Sequence, residues 1–331
     1  MHMRSVAAAA ALSLLVLTAC GDDSSGQAND PSRPRGVAAS DAPRPIDGIS
    51  APDFDGGRAF SHIETQVAFG PRVAGTTGHA AQLEWMTGLL REHADTLITQ
   101  TFTHASATGG QLRMTNLFAR FRPDASERIL LVAHWDTRSI ADMEPDAARR
   151  SQPIPGANDG ASGTALLLHL AELLDASTPP VGVDLLLVDG EDYLPGEMYL
   201  GAKHFASGVA ASGYRPRYGI LVDMIADADP VYPVEANSAA LAPDVIRRVY
   251  ALAHELGYGA NFPLVEGGAI EDDHLPLNQA GIPTIDIIDF DFGRSAGQSL
   301  WHTHADDMSA VSVRGLEAVG TVLTELVYRG G

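Results

Sequence analysis

Apolar residues recur along this chain in two periods. Residues 59–69, 80–93, 161–174, 200–209, 243–256 and 313–328 space them three or four positions apart, which predicts helices. Residues 96–103 alternate, with Leu97, Thr99 and Thr101 set against Ile98, Gln100 and Phe102. That predicts a half-buried strand, and 115–121 its partner across the Gly109-Gly110 turn. Four short runs, 128–133, 183–188, 218–222 and 284–288, are mainly apolar and read as strands buried on both faces. Strands alternating with helices predict an α/β fold: three α/β/α layers around a central, mostly parallel sheet. The early hairpin makes that sheet mixed, through an antiparallel edge.

The beginning of the chain follows a different pattern. Arg4, the apolar run 6–17 and Leu17-Thr18-Ala19-Cys20 have the layout of a secretory signal, and the run is too short to span a bilayer. A cysteine directly after such a site resembles the bacterial lipobox. That makes residues 1–20 a lipoprotein signal and Cys20 the lipidated N-terminus of the mature chain; the alternative is an ordinary signal with an incidental cysteine. Residues 21–53 are rich in Asp, Ser, Pro, Ala and Gly without apolar periodicity, and predict a flexible tether. The expected location is outside the cytoplasm, lipid-anchored to a bacterial membrane, in the periplasm or at the cell surface. Residues 54–331 are left as a single domain. Cys20 is the only cysteine, so that domain holds together without a disulfide. A net charge of −20 speaks against nucleic acid and suits cationic substrates such as peptide N-termini. It equally suits plain solubility.

Candidate chemistry sits where the apolar runs end. His134-x-Asp136 closes one run, and two positions apart on extended chain both face the same side, so one can ligate a metal while the other orients it. Taken alone, such pairs are common on loops. Asp159 precedes Gly160-Ala161-Ser162-Gly163 and serves either as a ligand or as the cap of the next helix; the small residues let that helix start close to the sheet. Glu191 and Asp192 follow the wholly apolar Leu185-Leu186-Leu187-Val188, and adjacent acids project differently, so one can bind metal while the other acts as acid or base. Asp223 interrupts Ile220-Leu221-Val222 and Met224-Ile225, where an unpaired acid is costly. His302 follows Leu300-Trp301, and Glu271-Asp272-Asp273-His274 crowds charge ahead of Leu275-Pro276-Leu277, a pattern that also opens a helix. In an open α/β sheet the strand ends gather at one edge. Imidazole and carboxylate converging there without a thiol suit zinc or a similar divalent ion.

In this order the motifs resemble the zinc aminopeptidase and glutaminyl cyclase superfamily, metallopeptidase family 28, over about residues 60–328. The resemblance implies a zinc aminopeptidase-like fold, with metal held by Asp159, Asp192 and His302 and a second ion available to His134 and Asp223. It also implies that Glu191 is the catalytic carboxylate and that Asp136 supports His134. Residues 69–76, Asp272-Asp273-His274-Leu275-Pro276 and Trp301 are similar to the cyclase branch. Through that branch Asp223 and Asp273 are expected in a proton-transfer network, and Trp301 against the substrate. There are departures. Animal cyclases carry glutamate at the position of Asp192, a disulfide near the site, and an extra tryptophan where this chain has Tyr193-Leu194-Pro195.

The two branches imply different reactions from one residue set. A cyclase needs one zinc to polarise the γ-carbonyl of an N-terminal glutamine, and Glu191 to carry a proton from the α-amine to departing ammonia. An aminopeptidase needs two zinc ions sharing Asp159, with Glu191 as the base for water. A non-catalytic binding lipoprotein is expected to have lost ligands, and none is missing. The expected function is zinc-dependent glutaminyl-peptide cyclotransferase, forming pyroglutamate at peptide or protein N-termini, with zinc aminopeptidase as the alternative.

Overall fold

Six strands form one mixed sheet in the computed structural model, which describes residues 36–294, 297 and 299–331. They are β1 (Thr96–Ala105), β2 (Gln111–Phe121), β3 (Arg128–His134), β4 (Gly182–Val188), β5 (Gly219–Asp223) and β6 (Thr284–Ile288), in the order β1-β2-β4-β3-β5-β6. The hairpin pairs antiparallel, Thr99 opposite Leu117, and β2 runs antiparallel to β4. From β4 through β3 and β5 to β6 every pairing is parallel, so their carboxyl ends share one edge.

The apolar runs have a direct cause in the layering. Along β3, Ile129, Leu131 and Ala133 enter a core formed with α1 (Gly56–Ala68), α2 (Thr77–His93), α3 (Ala161–Ala176), α6 (Pro243–Glu255) and α8 (Val313–Tyr328). Leu130 and Val132 point the other way, into a smaller core with α4 (Leu200–Ser212) and α7 (His274–Gln279). A strand covered on both faces favours apolar residues, and the buried Asp184 of β4 is paired by Arg120 and Arg128. β6 lies at the sheet's edge and is still buried throughout, because α7 and α5 (Ala236–Leu241) pack against it.

Residues 37–53 depart from the tether expectation. Val37, Ile49 and Ala51 pack on the main core, Ala42 is buried in it, and Arg329 donates to Pro43 O at 3.2 Å. Isolated apolar residues on irregular chain make this contact, and they leave no period to read. Residues 1–35, with the signal and Cys20, lie outside the described residues.

Candidate active site

Every acid and imidazole singled out as a metal ligand lies at the carboxyl edge of the parallel strands. His134 is the last residue of β3, Asp223 the last of β5, and Glu191 and Asp192 follow β4. Asp159 immediately precedes the start of α3, which comes unusually close to the sheet. A Cβ on Gly163 would lie 2.2 Å from Val222 O, and one on Gly160, where φ is +88°, would lie 2.4 Å from Asp136 O. Gly160 is itself the cap residue of α3. Asp159 is therefore no helix cap, and its side chain is free to face the two histidines.

His134 Nε2 lies 3.1 Å from Asp223 Oδ1 and 3.2 Å from Asp159 Oδ1. On the other side of Asp159, His302 Nε2 lies 3.7 Å from its Oδ2 and 3.3 Å from Asp192 Oδ1. Among the described residues, ligand atoms of Asp159, Asp192 and His302 fall within 4.8 Å of one another, as do those of His134, Asp159 and Glu191. Tetrahedral ligands about 2 Å from a shared zinc are about 3.3 Å apart, so the first group fits such an ion. Asp192 Oδ2 is buried with no hydrogen-bond partner, an acceptor that a cation would satisfy. His302 and Met224, next to Asp223, have φ of 55° and 48°, left-handed backbone uncommon outside glycine that concentrates at functional sites.

Asp136 Oδ1 lies 3.5 Å from His134 Nδ1, and its hydrogen bonds go to the backbone instead. Its two oxygens accept from the backbone N–H of Glu191 (3.1 Å) and of Asp192 (3.2 Å), which fixes the turn carrying both acids. Burial pushes the Glu191 carboxyl well above the usual range; His134 opposes this, and Asp272, Asp192 and Asp273 add to the rise. Burial works against a charged His134, but Asp223, Asp136 and Asp159 outweigh it and raise that imidazole's pKa well above normal.

A cleft of about 240 Å³ opens over this edge, lined by Asp159, Glu191, Asp192, Asp223, Trp301 and His302 among others. That is small against the roughly 300–1,000 Å³ of sites for drug-sized ligands, and suits one residue of a chain end. Trp301 stacks on His302 with ring centroids 3.6 Å apart and leans on Phe290 at 4.9 Å. Asp273 is fully buried and is not among the lining residues; its neighbour Asp272 is. The acidic pair was legible in the sequence, but which member faces the cleft was not.

Several site residues carry no signal that the motifs expose. Tyr199 lines the cleft and donates to Glu271 O at 2.6 Å. Asp306 accepts from the backbone N–H of Asn158 (2.7 Å) and of Asp159 (3.1 Å) and so holds the loop of the shared ligand. Arg138 donates to Asp192 at 2.6 Å. The positions 134, 136 and 138 all turn toward the site, so continuing the two-residue alternation by one step finds Arg138.

Buried acids make stability depend on pH. Asp273 and Asp306 are pushed up to about 8, chiefly by burial. An acid with a raised folded pKa stabilises fully below its unfolded value, about 3.9, and that contribution is lost as pH rises through the folded value. His134, a raised base, has the same sign above about pH 6.5. His62, held near 4 by burial, runs against them only up to about pH 6.5. The melting temperature of chelator-treated protein should therefore fall between about pH 6.5 and 8. A flat or rising profile there would contradict these assignments.

The match to known proteins follows the same residues. The family model described as peptidase family M28 matches residues 116–327. The chain belongs to peptidase family M28. Its α/β/α architecture is that of its structural relatives within the zinc aminopeptidase-like fold. A Bacteroides thetaiotaomicron glutaminyl cyclase bound to N-acetylhistamine superposes with a TM-score of 0.80 at 35% identity, covering 84% of this chain and 99% of that one. A Zn-dependent exopeptidase from Parabacteroides distasonis gives 0.80 at 34% identity, with the same two coverages of 84% and 99%. A glutaminyl-peptide cyclotransferase of Drosophila melanogaster is 26% identical over 271 residues, 73% of this chain and 72% of its own length. Members of this M28 group are enzymes.

Proposed function

We propose that this M28 enzyme is a zinc-dependent glutaminyl-peptide cyclotransferase, closing N-terminal glutamine to pyroglutamate with release of ammonia. The observation that carries this reading is an asymmetry between the two sides of Asp159. Asp192 offers a buried oxygen without a partner beside His302, whereas His134 Nε2 already hydrogen-bonds Asp223 at 3.1 Å. An acceptor left unpaired on one side favours a cation there, and a histidine that already has a partner on the other favours a single ion. Asp159, Asp192 and His302 would hold the zinc, which supplies a Lewis acid for the γ-carbonyl of glutamine.

The chain's own residues handle the protons. Glu191 lines the cleft 3.7 Å from His134 and takes a proton from the substrate's α-amine as that nitrogen bonds to the carbonyl carbon of the side-chain amide. It returns the proton to the amide nitrogen as the carbon–nitrogen bond breaks and ammonia leaves. Burial raises its proton affinity, which suits a group that must keep a proton between two steps. Asp223 and Asp272 line the cleft with carboxyl groups that can accept hydrogen bonds from the substrate's amine. Trp301, Phe290, Ile270 and Ile288 form the apolar wall. Excluding water matters here, because water attacking the same carbonyl gives glutamate instead of the ring.

The aminopeptidase reading has one observation in its favour: the second donor group, His134, Asp159 and Glu191, also converges within 4.8 Å. Product analysis separates the two. Incubated with a glutamine-led dipeptide, the enzyme should release ammonia and leave a product lighter by that mass. A leucine-led dipeptide should remain intact. Free leucine, with the glutamine peptide uncyclised, would put the aminopeptidase reading in its place.

A further inference from the structure

A closed ring of contacts ties two of the metal-type residues to a pair that takes no part in the reaction above. Arg138, 3% exposed, donates from Nη1 to Asp192 Oδ1 at 2.6 Å. From Nε and Nη2 it donates to Asp142 Oδ1 and Oδ2 at 3.3 and 2.9 Å. Asp142 Oδ1 stands 3.1 Å from His302 Nδ1, and the Met143 N–H donates to His302 O at 3.3 Å. His302 Nε2 faces Asp192 Oδ1 at 3.3 Å, which closes the ring.

We propose that Arg138 and Asp142 are positioning residues that set how Asp192 and His302 present themselves to zinc. The proposal rests on the metal site of the preceding reading and is independent of which reaction that site performs. Arg138 bonds Oδ1 of Asp192 and leaves Oδ2 without a protein partner, which fixes the tilt of the carboxylate and favours binding through one oxygen. The Asp142 carboxylate beside His302 Nδ1, though not aligned as a hydrogen bond, favours a proton on that nitrogen, which leaves the Nε2 lone pair for the ion. With Asp159 the chain then supplies three donor atoms and leaves a position open for substrate, a low-coordinate set that favours zinc over ions taking six to eight oxygens. Only a guanidinium serves here, since its planar fork holds two carboxylates at fixed angles and a lysine ammonium does not.

The test compares the wild-type chain with Arg138→Gln and Asp142→Ala. After chelation, each protein is titrated with zinc against a chromophoric chelator, and separately loaded with Co²⁺ and followed by visible absorption. Zinc affinity should fall by about 10- to 100-fold in each variant. The cobalt bands should be intense in the wild type, as for four-coordinate Co²⁺. They should weaken in Arg138→Gln, where Asp192 is free to bind through both oxygens. The side chain of Asp142 is 29% exposed, so its removal tests the idea even if the arginine variant does not fold. Wild-type zinc affinity in both variants, or lowered melting temperature with an unchanged cobalt spectrum, would reduce the ring to a structural ion pair. Failure of the wild type itself to bind zinc is a distinct outcome and would remove the metal reading together with this one.

Discussion

Replacing Glu191 by glutamine should lower turnover by about 10²- to 10⁴-fold, the usual contribution of a positioned proton-transfer group, while zinc content stays at the wild-type level. The two halves of this expectation have separate causes. Glutamine keeps the size of the side chain but cannot take the α-amine proton or return it to the leaving nitrogen. The Asp159, Asp192 and His302 donor group does not include Glu191, and the Glu191 backbone N–H still bonds Asp136. The variant should also fold at least as well as the wild type. Burial and the nearby Asp272, Asp192 and Asp273 make a charged Glu191 costly, and a neutral amide removes that cost. Turnover and metal content measured on the same preparation check it. Loss of zinc alongside activity would make Glu191 a ligand, as the second donor group allows; retained activity would take the proton transfer away from it.

The legible part of this fold is the part where burial is two-sided or periodic. β3 and β4 are mainly apolar because helices cover both faces, and the amphipathic period of α8 runs over the observed Val313–Tyr328. Helices α5 and α7 have six residues each, too few for a period to declare itself. Residues 37–53 were opaque for the same reason, since a contact made by Val37 here and Ile49 there has no spacing to recognise.

Within the site, the residues that face the cleft were legible because each stands out against its surroundings: Asp223 in an apolar strand, Glu191 and Asp192 after one. The residues that hold them were not. Asp306 reads as one more charge in a polar segment, yet it binds the backbone of Asp159 from 147 positions away. Arg138 reads as a loop arginine until Asp192 is seen beside it. A partner's identity lies in the tertiary structure, and Asp273 illustrates the cost of lacking it, since only the direction of the chain at that point decides that Asp272 reaches the cleft.

Changing His302 to alanine should empty the metal site and with it abolish activity. Losing a direct ligand should cost more than the roughly 10- to 100-fold in affinity that follows loss of a ligand's outer partner. His302 is the only neutral donor in its group, and without it Asp159 and Asp192 face each other with His134 beside the first and Arg138 beside the second. The left-handed backbone at φ 55° suits alanine somewhat less than histidine, a local cost of about 1 kcal/mol that the metal-free variant should withstand. His302→Gln, which keeps more of the packing under Trp301, serves as a second variant should alanine fail. The informative control is His134→Ala, counted by elemental analysis alongside. If one zinc is bound, on the Asp192 side, the His134 variant keeps it and the His302 variants do not. If two are bound, each substitution removes one and the wild type starts from two. Zinc content unchanged in both His302 variants would move the metal away from Asp159, Asp192 and His302 altogether, whatever reaction the enzyme performs.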